Sequence, residues 1–173
     1  MYLWLIVIFA VVVADQVTKL FVVELLDRTA SLDIIPGILR FTYTENTGMA
    51  FGMLGEKNQR WVFMVVSVIA LVGLLIYMWK AKLQSRWANM ALSLIIGGGI
   101  GNMIDRVFNG SKIFDGAVVD FIEAAFIDFP VFNVADSAVC IGAALLIIYL
   151  ISDMIRESRA KKQKISDGEE NAE

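Results

Sequence analysis

The sequence predicts an all-α polytopic membrane protein, with four transmembrane helices and a small β-structured segment between the first two. Of its 173 residues, 58% are hydrophobic and only 19% are charged. Soluble domains contain about a quarter charged residues, so this balance favours a chain with several membrane spans. Long uncharged runs also recur, each of a length that can cross a bilayer. One domain is expected at this chain length.

The first span is predicted over residues 2–24. Residues 2–14 are apolar throughout, and no basic residue precedes them, so we expect a permanent helix and not a cleaved signal peptide. Asp15 and Lys19 are four residues apart and share one helix face, where they can pair. Two interpretations stay open: a buried ion pair that locks helices together, or a direct role in a site.

Residues 25–59 differ in kind, because they contain Pro36, several glycines and polar residues. The β-prone piece at 39–44 predicts a small sheet or hairpin on the membrane surface. The segment 45–52 is turn-like, and its glycines permit close approach of the backbone to a ligand. An ordinary turn is the alternative interpretation.

Three further spans are predicted over 61–79, 87–104 and 131–152, with a polar connection at 107–130. We therefore expect a membrane domain over 1–155 and a polar tail over 156–173 that is disordered at its end. Lys and Arg are dense at 80–86 and after residue 155. The positive-inside rule then places both termini and the 80–86 loop in the cytoplasm, and the two long connections outside.

Absent residue types narrow the chemistry. The chain has no histidine, so a Ser-His-Asp triad and a histidine metal site are impossible within it. Cys140 is its only cysteine and is predicted to be a small buried hydrophobe. The glycines at 97–99 and 101 lie in an apolar run, where they favour close helix packing over phosphate binding. No metal, cofactor or nucleic acid is predicted, and the net charge of −3 agrees with the last point.

Four aspartates are expected in one layer near the outer membrane face: Asp15, Asp105, Asp120 and Asp136. Asp105 ends the third span, Asp136 lies just inside the fourth, and Asp120 lies in the outer connection. Two neighbouring carboxylates can share a proton, one acting as base and the other as acid. Such a pair can activate water for attack on an amide without a metal or a covalent intermediate.

Asparagines accompany two of these aspartates. Asn102 precedes Asp105 by three residues, and Asn133 precedes Asp136 by three, so each amide can lie beside its carboxylate on one helix face. These amides can orient the carboxylates or hold a substrate backbone. Glu123 and Asp128 are interpreted as solvated loop charges.

Five motifs give the chain a family resemblance. They occur in order over about residues 10–145: DQVTK at 15–19, NTGMAFG at 46–52, GGIGNMIDR at 98–106, VDF at 119–121 and FNVADS at 132–137. With these motifs the chain resembles the lipoprotein signal peptidase (signal peptidase II) family of bacterial membrane aspartyl peptidases. The resemblance implies a four-helix membrane bundle with a small extracytoplasmic β-cradle, here at about 25–59.

The resemblance also implies an activity and a site. The family cleaves signal peptides from diacylglyceryl-modified prolipoproteins, just before the lipid-modified cysteine, in the bacterial cytoplasmic membrane. By motif position Asp120 and Asp136 are the catalytic pair. Substrate-lining positions are matched by Asn46, Gly48, Asn102, Arg106 and Asn133. Supporting polar positions are matched by Asp15, Lys19 and Asp105. We expect a monomer whose partners are the prolipoprotein substrate and membrane lipid.

Two other classes of function remain as alternatives. Embedded aspartates also form relays in small proton- or ion-coupled transporters. Against that, the aspartates cluster on one side, and four spans without an internal repeat suit alternating access poorly. A purely structural subunit would leave the pairing of Asp120 with Asp136 unexplained.

Overall fold

In a computed structural model of the protein, the structure describes residues 2–47, 56–81, 85–111, 113–114 and 116–170. Four helices and three short strands form this part of the chain, in the order α1-β1-β2-α2-α3-β3-α4. The helices are α1 (Tyr2–Leu25), α2 (Glu56–Ala81), α3 (Arg86–Phe108) and α4 (Val134–Glu170). The strands are β1 (Ser31–Ile35), β2 (Leu39–Asn46) and β3 (Val118–Ala124).

Among the described residues, three helices are long and apolar enough to cross a membrane: Tyr2–Leu25, Arg86–Phe108 and Val134–Lys161. They confirm three of the predicted spans. The remaining one, predicted over 61–79, falls in α2, within which Met64–Lys80 is a shorter apolar helix among the described residues. Helix α2 begins with the polar residues 56–60, and the uncharged run 61–79 follows them. The fourth span therefore stays a prediction.

Helix α3 is the centre of the bundle: 56% of its apolar stretch is buried, against 22% for that of α1 and 11% for that of α4. Three consecutive glycines allow α3 to approach three helices closely. Successive residues of a helix point about 100° apart, so each glycine faces a different neighbour. A β-carbon at Gly97 would lie 2.9 Å from a side chain of α1, at Gly98 2.3 Å from the Ala135 carbonyl of α4, and at Gly99 2.5 Å from a leucine of α2. The predicted role of these glycines in close helix packing is confirmed.

A three-stranded antiparallel sheet, in the order β1-β2-β3, joins the two polar connections. Strand β2 confirms the β-prone piece at 39–44. Strand β3 lies in the 107–130 connection, for which no strand was predicted. Its residues Val118 to Phe121 are all buried, so the alternation that marks a half-exposed strand is missing. Phe121 packs edge-on against Phe41 at 5.5 Å and belongs to a core cluster with Val22 of α1.

Two smaller expectations differ from the structure, and one stays untested. Cys140 is exposed, because α4 buries only the face that meets its neighbours. Glu123 is half-buried and accepts hydrogen bonds from Arg40 and Thr42 within the sheet, whereas Asp128 is exposed as predicted. Residues 156–170 continue α4 as a helix, and 171–173 lie outside the described residues, so the predicted disorder at the end of the tail stays a prediction.

The close approach of α3 to α4 gives a stability prediction. Gly98→Ala places a methyl group against a backbone carbonyl, which cannot move aside as a flexible side chain can. We expect destabilisation by about 1–3 kcal/mol, the usual cost of overpacking. Thermal unfolding in one detergent measures it. Gly73→Ala is the matched control, because a β-carbon there meets nothing within 4 Å. Equal unfolding temperatures for the two variants would contradict the tight α3–α4 contact.

Candidate active site

The first turn of α4 positions Asp136 through a reciprocal cap. Asn133 precedes the helix, and its side-chain Oδ1 accepts a hydrogen bond of 2.8 Å from the backbone N–H of Asp136. In return, Oδ2 of Asp136 accepts from the backbone N–H of Asn133 at 3.2 Å. This is the capping-box arrangement, with an acid at the third helical residue. The sequence Asn-Val-Ala-Asp therefore encodes both the helix start and the direction of the Asp136 carboxylate.

Asp120 reaches the same place from strand β3. Its side chain is only 2% exposed. One carboxylate oxygen, Oδ2, accepts from Nδ2 of Asn46 at 2.9 Å, and the other, Oδ1, accepts from Nδ2 of Asn133 at 2.6 Å. Pairing of β2 with β3 brings Asn46 to the end of the sheet where Asp120 lies.

Two asparagines join the aspartates into one cluster. Asn133 bonds to both carboxylates, through its side chain to Asp120 and through its backbone to Asp136. Asn102 of α3 donates from Nδ2 to Oδ1 of Asp136 at 2.7 Å, and its own oxygen accepts from Nδ2 of Asn133 at 3.1 Å. The asparagines thus lie beside the carboxylates, as the sequence predicted, but Asn102 serves Asp136 of another helix and not Asp105 of its own.

Burial raises the pKa of Asp120 to about 6, because the charged carboxylate loses hydration. The negative charge of Asp136 raises this pKa further, while the amides of Asn46 and Asn133 oppose the shift by hydrogen bonding to the ionised form. Asp120 therefore gains and loses a proton only slightly below neutral pH. Such a carboxyl can act as an acid or a base under mild conditions.

Lys19 connects the buried supporting residues. Its Nζ lies 2.8 Å from Oδ2 of Asp15, 2.8 Å from Oδ2 of Asp105 and 3.1 Å from Oδ1 of Asn102. The ammonium thus holds the Asn102 oxygen and leaves the Asn102 NH₂ group free to face Asp136. The buried ion pair of Asp15 with Lys19 is present, as one of the two interpretations predicted, whereas a direct role of the pair in the site stays a prediction.

Each supporting carboxylate also holds the backbone next to one of the two aspartates. Oδ1 of Asp15 accepts from the backbone N–H of Ala135 at 2.9 Å, directly before Asp136. Oδ2 of Asp105 accepts from the backbone N–H of Val119 at 3.2 Å, directly before Asp120. Lys19 therefore links the two backbone segments that carry the pair.

Gln16 is a site residue to which the sequence analysis assigned no role. Its Nε2 donates to Oδ1 of Asp105 at 2.9 Å, and it also contacts Asp15 and the Gly101 carbonyl at 3.2 Å. Its position between Asp15 and Lys19, inside an otherwise apolar helix, is the feature of the sequence that could have identified it.

A groove of about 320 Å³ opens beside the cluster, between α2, α3 and α4. Its polar lining comes chiefly from Asn102, Arg106 and Asp136, and most of the remaining wall is apolar. The structure thus brings Asn46, Asn102, Asn133, Asp120 and Asp136 into one hydrogen-bonded cluster, with Arg106 on the groove. Gly48, the other predicted substrate-lining residue, lies outside the described residues.

Comparison with known proteins gives consistent matches. The family model described as signal peptidase (SPase) II matches residues 7–152. A lipoprotein signal peptidase of Halalkalibacterium halodurans is 38% identical over 94% of this chain and 98% of its own length. One from Halothermothrix orenii is 43% identical over 84% and 92%, respectively. A solved structure described as a bacterial membrane enzyme is similar with a TM-score of 0.78 and 35% identity, covering 89% of this chain and 90% of that one.

The Lys19 contacts give a second stability prediction. Lys19→Met keeps most of the side-chain volume but leaves Asp15 and Asp105 buried together without their cation. Removing one partner of a buried ion pair typically costs about 3–5 kcal/mol. Thermal unfolding should show the loss, and Lys161→Met, at an exposed position on α4, should show none. Unfolding of Lys19→Met at the wild-type temperature would mean that the buried ammonium does not hold the bundle together.

Proposed function

The chain belongs to the signal peptidase II family, and from that premise we propose that its activity uses a water molecule activated by Asp120 and Asp136. As a member of this family it is a peptidase that cleaves lipoprotein signal peptides. The proposed substrate is a diacylglyceryl-modified prolipoprotein, cut just before the lipid-modified cysteine. The observation that carries the mechanism is the convergence of two aspartates, one from a strand and one from a helix, on Asn133.

The proposed reaction needs one proton on the pair. The ionised carboxylate takes a proton from water as the water oxygen bonds to the scissile carbonyl carbon. The protonated partner then gives its proton to the leaving nitrogen as the C–N bond breaks. We assign the proton of the pair below about pH 6 to Asp120, since burial raises its pKa to about 6. Asp136 is then the base, and it is also the member of the pair that lines the groove.

The groove suits the lipid part of the proposed substrate. Its apolar wall runs down the bundle between α2, α3 and α4, while Asp136 and Arg106 lie on its polar lining. An acyl chain can therefore lie against the helices while the adjacent peptide bond reaches the carboxylates. Each buried methylene contributes about 0.8 kcal/mol, so the lipid should supply much of the binding energy.

The proposed placement in the membrane follows from helix length and charge. Signal peptidase II membership and the apolar helices make the chain a bacterial multi-pass membrane protein. We infer four spans, with α2 as the second, both termini in the cytoplasm and the aspartates near the outer face. The β-sheet then lies outside the membrane as the proposed cradle. We further propose that the protein acts as a monomer without a cofactor. No observation favours the transporter alternative over the peptidase.

Substitution of the pair tests the mechanism. Asp120→Asn and Asp136→Asn should each reduce cleavage of a lipid-modified precursor by about 10²–10⁴-fold or more, because an amide cannot exchange the proton. Asp128→Asn, at an exposed carboxylate, should keep near-normal activity. Cleavage by purified protein in detergent measures all three. Near-normal turnover in either Asp120→Asn or Asp136→Asn would remove that residue from the mechanism.

The same assay tests the substrate when the precursor is supplied with and without its diacylglyceryl group. Little cleavage of the unmodified form is expected, because it lacks the methylenes that the groove would bury. Equal rates for both forms would show that the lipid plays no part, without bearing on the aspartate pair.

The pH dependence should report the Asp120 proton. Below about pH 6 the carboxyl is protonated, and it loses that proton as the pH rises through 6. If Asp120 is the acid, kcat/KM falls above about pH 6, as a property of the coupled pair. Asn46→Ala removes an amide that favours the ionised form, so the pKa rises and the fall moves to higher pH. A fall that moves to lower pH in this variant would reverse the assignment of the proton.

A further inference from the structure

A second cavity, of about 850 Å³, lies far from the aspartates, between the start of α3 and the middle of α4. Its volume is within the range of about 300–1,000 Å³ that is usual for sites that bind small molecules. The proposed peptidase activity does not use it. Its lining changes along α4 from apolar residues, Leu145 and Ile148, to polar ones, Asp153 and Arg156.

In the proposed membrane placement, on which this inference rests, the cavity lies at the opposite boundary from the aspartates. Arg156 follows Asp136 by 20 residues on the same helix. At 1.5 Å per residue this separation is about 30 Å, the thickness of the hydrocarbon core of a bilayer. Trp87 and Tyr149 also line the cavity, and such residues are enriched where membrane meets water. The cavity therefore opens at the level of lipid headgroups.

Among the described lining residues, the charge is positive on balance. Arg86 and Arg156 contribute two positive charges and Asp153 contributes one negative charge. Within the described part of the chain, neither guanidinium lies within 4 Å of a carboxylate oxygen. Arg86 is also the first residue of α3, whose first turn contains no acidic residue. A cation there is opposed by the helix dipole, so a bound anion would relieve an unfavourable interaction.

We propose that this cavity binds the headgroup of an anionic membrane phospholipid. The phosphate lies between Arg86 and Arg156, since guanidinium groups match phosphate oxygens with two parallel hydrogen bonds. The acyl chains continue along Leu145 and Ile148 into the hydrocarbon core. Basic pockets between transmembrane helices bind anionic headgroups by the same combination of charge and apolar wall. A lipid held in this way bridges α3 and α4 at the end of the bundle opposite the aspartates.

The test is thermal unfolding of the purified full chain in detergent, titrated with phosphatidylglycerol or with phosphatidylcholine. Phosphatidylglycerol should raise the unfolding temperature at clearly lower concentration. Arg86→Gln and Arg156→Gln should each weaken this response about fivefold, and the double variant about twentyfold or more. Asp153→Asn should strengthen it, because the lining loses its negative charge. The wild-type comparison alone tests the proposal if a variant fails to fold.

Arg159→Gln separates a built site from general attraction to a basic surface. Arg159 is exposed on the same helix and does not line the cavity, so the phosphatidylglycerol response should persist. An equal loss in Arg159→Gln and Arg156→Gln would overturn the proposal. Equal stabilisation of the wild type by the two lipids would overturn it as well. Both results would leave the peptidase assignment untouched, because cleavage is measured separately.

Discussion

The arrangement of the site depends on one buried ammonium group, that of Lys19. It is 4% exposed and lies between Asp15 and Asp105, with the Asn102 oxygen as a third partner. Charges buried this deeply are tolerated only when paired and hydrogen-bonded. Asp15 also accepts the backbone N–H directly before Asp136, and Asp105 accepts the one directly before Asp120. The two ion pairs therefore fix both backbone segments relative to Lys19. The supporting charges thus determine the relative position of strand β3 and helix α4.

This polar network requires helices that approach closely, and the glycines of α3 allow it. A β-carbon at Gly101 would lie 2.6 Å from Oδ2 of Asp15, so the missing side chain leaves room for that carboxylate. Gly98 likewise admits the Ala135 carbonyl, one residue before Asp136. In a membrane, apolar side chains gain little by leaving lipid for a helix contact, so small residues and polar contacts determine association. Glycine packing and the carboxylate network are therefore two parts of the same α1–α3–α4 contact.

The sequence predicted what depends on local pattern and missed what depends on distant pairing. The apolar runs predicted the three spans that the structure supports, and the motifs named the two aspartates that both bond to Asn133. Strand β3 was missed because Asp120 is buried on it beside Val118 and Val119, which removes the alternation. The choice of Asn102 as partner of Asp136, and not of Asp105, depends on how α3 faces α4. No spacing within one helix reveals that relation.

The two aspartates also differ in how they can be reached. Asp120 is almost fully buried, whereas Asp136 is half-buried and lines the groove. Both donors to Asp136 belong to the buried Asn102 and Asn133, whereas Asp120 accepts from the buried Asn133 and from Asn46, which is exposed at the end of β2. The groove therefore reaches Asp136, and the exposed end of β2 reaches Asp120 through Asn46. The buried amides of Asn102 and Asn133 fix the positions of the two carboxylates, so this geometry can persist while hydrogen bonds on the groove and Asn46 sides change.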